Sequence, residues 1–128
     1  LTMNLVAEEL KKPLYRVGAG DLGTRASAVE SSLKDAFDRC SHWNAVLLID
    51  EADVFLERRS SDGLDRNELV SIVSGLILEY YQGTLILTTN RTHGIDPAFE
   101  SRIDIILTYD HLSQDSRNQI WINFIKTL

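Results

Sequence analysis

Residues 46–55 read VLLIDEADVF: four apolar residues run into Asp50, Glu51, Ala52 and Asp53. A continuous apolar run of this kind is the signature of a strand buried on both faces of a parallel sheet. Its acidic ending is unusual. An acidic turn after a buried strand accounts for Asp53 but poorly for Glu51. A second carboxylate beside Asp50 adds repulsion unless a cation or phosphate site compensates it.

Outward from this strand the chain alternates strands and helices. LTMNLVAEELKK opens it with a helical pattern, placing Met3, Val6, Ala7 and Leu10 on one face. Pro13 ends that helix, and LYRV (14–17) reads as a short strand. The glycine-rich turn GAGDLG leads to a helix from about Arg25 to Cys40, striped by Ala26, Val29, Leu33, Phe37 and Cys40. AVLLID (45–50) is the next strand, and ERRSSDG (57–63) is polar and reads as mobile. A helix from roughly Leu64 to Tyr81 carries Leu69, Val73, Leu76, Ile77 and Tyr80, with Gly83 closing it. TLILTT (84–89) and DIILTY (104–109) are the third and fourth expected strands, separated by a turn containing IDPAF. Ser113 is placed to cap a last helix with Ile120, Trp121, Phe124, Ile125 and Leu128 inside.

This order predicts an α/β fold with a mainly parallel sheet and right-handed crossovers. Ligands of such sheets bind outside the carboxyl ends of the strands. Asp50 and Glu51 end one strand and Thr88, Thr89 and Asn90 end another, so the two ends converge on one candidate site.

Composition sets outer limits. The chain has 128 residues, enough for one domain with one core, and is 44% hydrophobic and 25% charged. A formal net charge of −6 argues against a nucleic-acid-binding surface. No apolar run is long enough to cross a bilayer, and no secretory signal opens the sequence. Cys40 is the single cysteine, which excludes an internal disulfide and suits a reducing, intracellular compartment. His42, His93 and His111 lack metal-ligand spacing.

Three chemical readings compete. Gly18, Gly20 and Gly23 match the dinucleotide-binding fingerprint G-x-G-x-x-G. In a Rossmann domain, however, the ribose-binding acid follows by about 20 residues, and Asp50 lies well beyond that. Arg16 in the feeding strand and Asp21 near the would-be pyrophosphate fit no better. Asp50-Glu51-Ala52-Asp53 also spells the DEAD-box helicase motif, but the other helicase signatures are absent and the acidic chain suits RNA poorly.

The third reading uses the whole arrangement. An apolar strand ending in Asp-Glu looks like a Walker B motif, in which the first acid helps hold Mg²⁺ and the second polarises the water that attacks the γ-phosphate. Asn90 at the end of LILTTN offers an uncharged donor and acceptor for that water or for the γ-phosphate. Arg102, in GIDPAFESRID, sits in a loop from which an arginine can reach a nucleotide on a neighbouring subunit. The plainer accounts are a turn cap for Asn90 and a surface ion pair with Glu100 or Asp104 for Arg102.

Taken in order, VLLIDEADVFLERR, LTTNR and IDPAFESRID resemble the AAA+ ATPase family, particularly its fungal AAA members. EELKKPLYRVGAGDLGT is similar to the segment after the phosphate-binding loop in those proteins, and the likeness runs over essentially the whole chain. The resemblance implies a P-loop NTPase core, three-layer α/β/α, with ATP and Mg²⁺ as cofactors. It matches Asp50 and Glu51 to the Walker B acids, with Asp50 on the metal, Asn90 to sensor 1 and Arg102 to an arginine finger. It also implies self-association into a ring that remodels a macromolecular client.

The sequence departs from the family in ways that carry expectations of their own. No G-x-x-x-x-G-K-[ST] occurs in it. Residues 1–128 therefore read as a partial AAA+ core beginning just after the Walker A loop, without its strand and without the C-terminal helical lid. Such a piece, alone, is expected to be inactive, and its missing strand invites exposed edges or a fragment oligomer. GAGDLGTRAS offers only Leu22 where many unfoldases carry a pore aromatic. The competing class of function is a catalytically dead AAA-like interaction module, against which Glu51, Asn90 and Arg102 argue.

Overall fold

A computed structural model describes residues 2–57, 61–91 and 93–127. Part of the polar segment expected to be mobile, 58–60, lies outside the described residues, as does Leu128 of the last helix.

Three parallel strands lie in the order β1-β2-β3: β1 Leu14–Gly18, β2 Val46–Asp50 and β3 Leu85–Leu87. The central one is the apolar run. Its register pairs Ile49 with Val17 on one side and with Leu87 on the other. Val46, Leu47, Leu48 and Ile49 are all buried, as a strand covered on both faces requires. Leu47 and Ile49 join the main core, while Val46 and Leu48 point the other way by strand alternation.

The core lies between the sheet and two helices that touch each other, α2 (Ala26–Trp43) and α4 (Leu64–Gly75). Val29, Leu33, Ala36, Phe37 and Cys40 recur on one face of α2 and are buried there. Asn44 ends the helix in the left-handed conformation, φ 52°, with its N–H reaching back to Cys40 and Ser41 carbonyls. Val70 and Val73 bring α4 against the same core. Helix α1 (Thr2–Glu9) packs against β1 through the buried Ala7, although Leu10 stays exposed. The α/β class with a parallel sheet is thus present. Two short helices, α3 (Asp53–Leu56) and α5 (Pro97–Glu100), come after β2 and after the loop beyond β3.

The end of α4 departs from the expected stripe. Residues Leu76–Tyr80 form a π-helical turn. A π turn inserts one residue into the helical period, so the inward-facing position moves on by one. Tyr81, not Tyr80, therefore enters the core and stacks on Phe37 with ring centroids 4.6 Å apart. Tyr80 turns outward and donates its hydroxyl to Asp38 at 3.0 Å. Gly83 is fitted to this arrangement, since a Cβ there would stand 2.4 Å from the Tyr81 hydroxyl.

Burial pushes the Tyr81 phenol up to about 12, with Cys40 beside it adding to the rise, and burial likewise raises the Cys40 thiol. Because the folded state favours the neutral phenol, the Tyr81 contribution is fully present below about pH 10 and is lost as pH climbs through about 12. Urea midpoints should accordingly fall from pH 9 to pH 12, and Tyr81→Phe should flatten the upper part of that decline. An identical decline in Tyr81→Phe would assign it to other groups.

Two expectations about the C-terminal part are corrected. Residues 104–109 form no strand, and Ile105, Ile106 and Leu107 are 76%, 65% and 65% exposed. A strand exists only through a paired neighbour, and among the described residues β3 pairs with β2 alone, so 104–109 has no partner. The last helix does form, as α6 (Gln114–Thr127), with the Ser113 hydroxyl accepting the Ser116 N–H at 3.1 Å. Its stripe, however, has no surface to cover, and Ile120, Trp121, Phe124 and Ile125 remain exposed. The Tyr109 hydroxyl, donating to Thr2 at 3.1 Å, ties this region to α1. Trp121→Ala and Phe124→Ala should each change unfolding free energy by no more than about 0.5 kcal/mol, as surface substitutions do. A loss above about 2 kcal/mol in urea titration would mean that α6 is docked.

Candidate functional site

The carboxyl ends of β2 and β3 meet on one side of the sheet, as the parallel order demands. Thr88 N–H donates to Ile49 C=O at 3.1 Å and Ala52 N–H to Thr88 C=O at 2.9 Å, so the backbone beyond the two strands stays joined. The side chains extend this joint. The Thr88 hydroxyl donates to Asp50 Oδ1 and also accepts the Glu51 N–H at 3.0 Å.

Asp50 takes a second donor. The Arg16 guanidinium, on the neighbouring strand β1, binds its other oxygen. The Thr88 hydrogen bond first, and then that of Arg16, hold the Asp50 carboxyl below the usual carboxylate range. Asp50 is therefore a stable anion at a half-exposed strand end.

Glu51 sits immediately beyond, with φ 57°, a left-handed backbone that is uncommon outside glycine. Its residue is exposed, and among the described residues no hydrogen bond or ion pair engages its carboxylate. Asp50 and Glu51 line one cleft of about 320 Å³ with Arg16, Gly18 and Asp21. Different local backbones thus give two neighbouring acids different surroundings, one held by donors and one facing solvent.

Asp53 begins α3 and is more than the turn residue its position suggests. Its Oδ1 accepts the Thr89 hydroxyl and the Asn90 N–H, the latter at 3.2 Å. Thr89 in turn accepts the Arg91 N–H at 3.0 Å. Arg91 reaches Glu57 Oε1 at 3.1 Å, and Arg66 from α4 takes Glu57 Oε2 at 3.0 Å. The loop bearing Asn90 is thereby fastened to the segment beyond β2. Asn90 itself is exposed and does not line the cleft with the two acids.

Arg102 comes just after α5, whose N-cap Asp96 is buried and accepts the Ala98 N–H at 2.9 Å. Neither expected ion pair forms. The Arg102 side chain is exposed, makes no hydrogen bond or ion pair among the described residues, and stands outside the cleft lining. The structure therefore gathers Asp50 and Glu51, fastens the backbone of Asn90 to Asp53 outside their cleft, and leaves Arg102 at the surface. Thr88 lies at the converging strand end that the sequence marks, but its bonds to Asp50 and Glu51, and the contributions of Asp53 and Arg16, are not assigned there. The sequence signal for Thr88 and Asp53 is a place just beyond a strand end, whereas Arg16 stands in the middle of β1 and gives none.

The donor set fits one side of a nucleotide site. An ionised Asp50 with Glu51 beside it offers hard oxygen ligands suited to Mg²⁺, which typically takes one or two carboxylates and completes its shell with water and phosphate. Among the described residues no cluster of three or more His, Cys, Asp or Glu forms a metal cage. The phosphate side does not fit: Arg16 is the cationic residue in a cleft otherwise carrying Asp21, Asp50 and Glu51.

Residues 1–111 match the ATPase family associated with various cellular activities (AAA). The chain belongs to that family, whose common chemistry is ATP hydrolysis, typically with Mg²⁺. It is also similar to an uncharacterized AAA family ATPase of Sinorhizobium fredii, at 30% identity over 115 residues. That alignment covers 86% of this chain and 34% of the relative, so the chain spans about a third of the relative's length. No helix among the described residues is long and apolar enough to cross a membrane.

Proposed function

We propose that this chain supplies the hydrolytic half of an ATPase site, completed by a phosphate-binding loop outside its 128 residues. Residues 1–128 are on this reading a partial AAA+ core, close to the fungal AAA members whose strings they resemble. The observation that carries the reading is the pairing, at one strand end, of an Asp50 carboxylate held by Thr88 and Arg16 with a solvent-facing Glu51.

Asp50 is the ligand offered to Mg²⁺, which when bound neutralises charge on the phosphates. Glu51 is the general base that orients and polarises the attacking water. Asn90 donates to or accepts from that water or the γ-phosphate, held in place by Asp53. Arg102, unengaged at the surface, is suited to act on the site of an adjacent subunit in a ring. Within the full protein such a ring would couple hydrolysis to the remodelling of a macromolecular client.

The Arg16–Asp50 pair favours a second reading, a non-hydrolysing AAA-like interaction module, because it occupies the carboxylate that a metal needs. Mg²⁺-dependent ATP turnover separates the two. The 128-residue chain alone should show none, and the protein carrying both this chain and a phosphate-binding loop should show it. Turnover by the chain alone that disappears on Glu51→Gln would sink the half-site reading. A complete protein that binds ATP without hydrolysing it would establish the interaction module.

A further inference from the structure

Thr88 occupies an uncommon position. Its single hydroxyl serves two residues of another strand end, donating to Asp50 Oδ1 and accepting the Glu51 N–H at 3.0 Å. Glu51 holds a left-handed backbone, φ 57°, which for a residue with a Cβ costs roughly 1–2 kcal/mol. A conformation of that cost persists only where its surroundings over-determine it. The bonds that hold it are the Thr88 hydroxyl on the Glu51 amide and, one residue later, the Ala52 N–H on the Thr88 carbonyl. With its own N–H on the Ile49 carbonyl, Thr88 is thus bonded to four consecutive residues, 49, 50, 51 and 52.

We infer that Thr88 is the positioning residue of the hydrolytic site, its hydroxyl fixing where the Asp50 carboxylate and the Glu51 backbone stand relative to each other. The inference rests on the ATPase reading for its catalytic consequence but not for its structural one. Without the hydroxyl, Asp50 keeps Arg16 as a donor and swings toward it, while Glu51 is free to leave the left-handed basin. The two acids then lose a common reference, although neither has been altered. Such loss of an orienting partner typically lowers activity or metal affinity about 10–100-fold.

Two near-isosteric substitutions separate this role from packing. Thr88→Val keeps the branched shape and removes the hydroxyl; Thr88→Ser keeps the hydroxyl and removes the methyl. In the 128-residue chain, Thr88→Val should speed hydrogen exchange at the Glu51 amide about fivefold or more, the scale of one lost hydrogen bond. Thr88→Ser should leave it near the native rate. In the complete ATP-hydrolysing protein, Thr88→Val should lower kcat about 10–100-fold with KM for ATP little changed, and Thr88→Ser should restore kcat to within a fewfold. Native exchange in Thr88→Val overturns the inference, as does a Thr88→Ser variant as impaired as Thr88→Val, which would assign the role to the methyl. If the unsubstituted protein hydrolyses no ATP, the ATPase reading fails by itself, and the exchange measurement still decides what Thr88 positions.

Discussion

Glu51→Gln should abolish measurable steady-state ATP turnover, lowering kcat about 10²–10⁴-fold, the usual scale for removing a general base. The substitution preserves length and shape. It leaves the backbone N–H that bonds Thr88 at 3.0 Å, and the side chain it alters is exposed and engages nothing among the described residues. Folding stability and nucleotide affinity should therefore be unchanged, and ATP should accumulate on the protein unhydrolysed. Measuring turnover and ATP binding together, in a protein with an intact phosphate-binding loop, checks both halves. A Gln variant hydrolysing ATP at the native rate would remove Glu51 from the chemistry and leave Asp50 as the sole acid of consequence.

Phe37→Ala should be the most damaging core substitution, costing about 3–5 kcal/mol. Phe37 is 1% exposed and lies on the inner face of α2, stacked on Tyr81 at 4.6 Å and near Tyr80 at 6.3 Å. Truncation opens a cavity between α2 and the end of α4, and it takes the stacking partner from Tyr81, whose hydroxyl fills the space a Cβ at Gly83 would need. Against a typical domain stability of about 5–15 kcal/mol the loss is a large share. Urea titration should show a lower midpoint with an unchanged slope. A loss below about 1 kcal/mol would mean that the aromatic cluster is loosely packed, and Leu33 would be the next residue to truncate.

Local pattern carried much of the fold. VLLID is a continuous apolar run and Val29, Leu33, Phe37, Cys40 a stripe of helical period, and both elements form where those patterns place them. The failures came where local pattern needs a distant partner. DIILTY has the composition of a strand and α6 the stripe of a packed helix, yet each is stabilised only by a neighbour, and none of the described residues supplies one. The Tyr80–Tyr81 exchange is different in kind, since a π turn changes the period itself.

The site was legible to a similar depth. Two acids at a strand end and an asparagine at the next are visible as strings. That Thr88 bonds Asp50 and Glu51, that Asp53 bonds Thr89 and Asn90, and that Arg16 covers Asp50 depend on the register of three strands. Residues 16, 50 and 88 are too far apart in sequence for any local pattern to relate them.

The exposed run after Arg102 has a consequence for the chain as a material. Ile105, Ile106, Leu107, Thr108 and Tyr109 form a five-residue window of high β-propensity, without charge, proline or glycine. Windows of this composition nucleate cross-β stacking when they are left uncovered. Asp104 and Asp110 bracket it at both ends, the arrangement by which natural sequences place gatekeeper charges around an unavoidable sticky stretch. Repulsion between these carboxylates on neighbouring copies would oppose such stacking. Salt shortens the reach of that repulsion to about 3 Å at 1 M, so aggregation of the chain should quicken as ionic strength rises, which light scattering across a salt series would read.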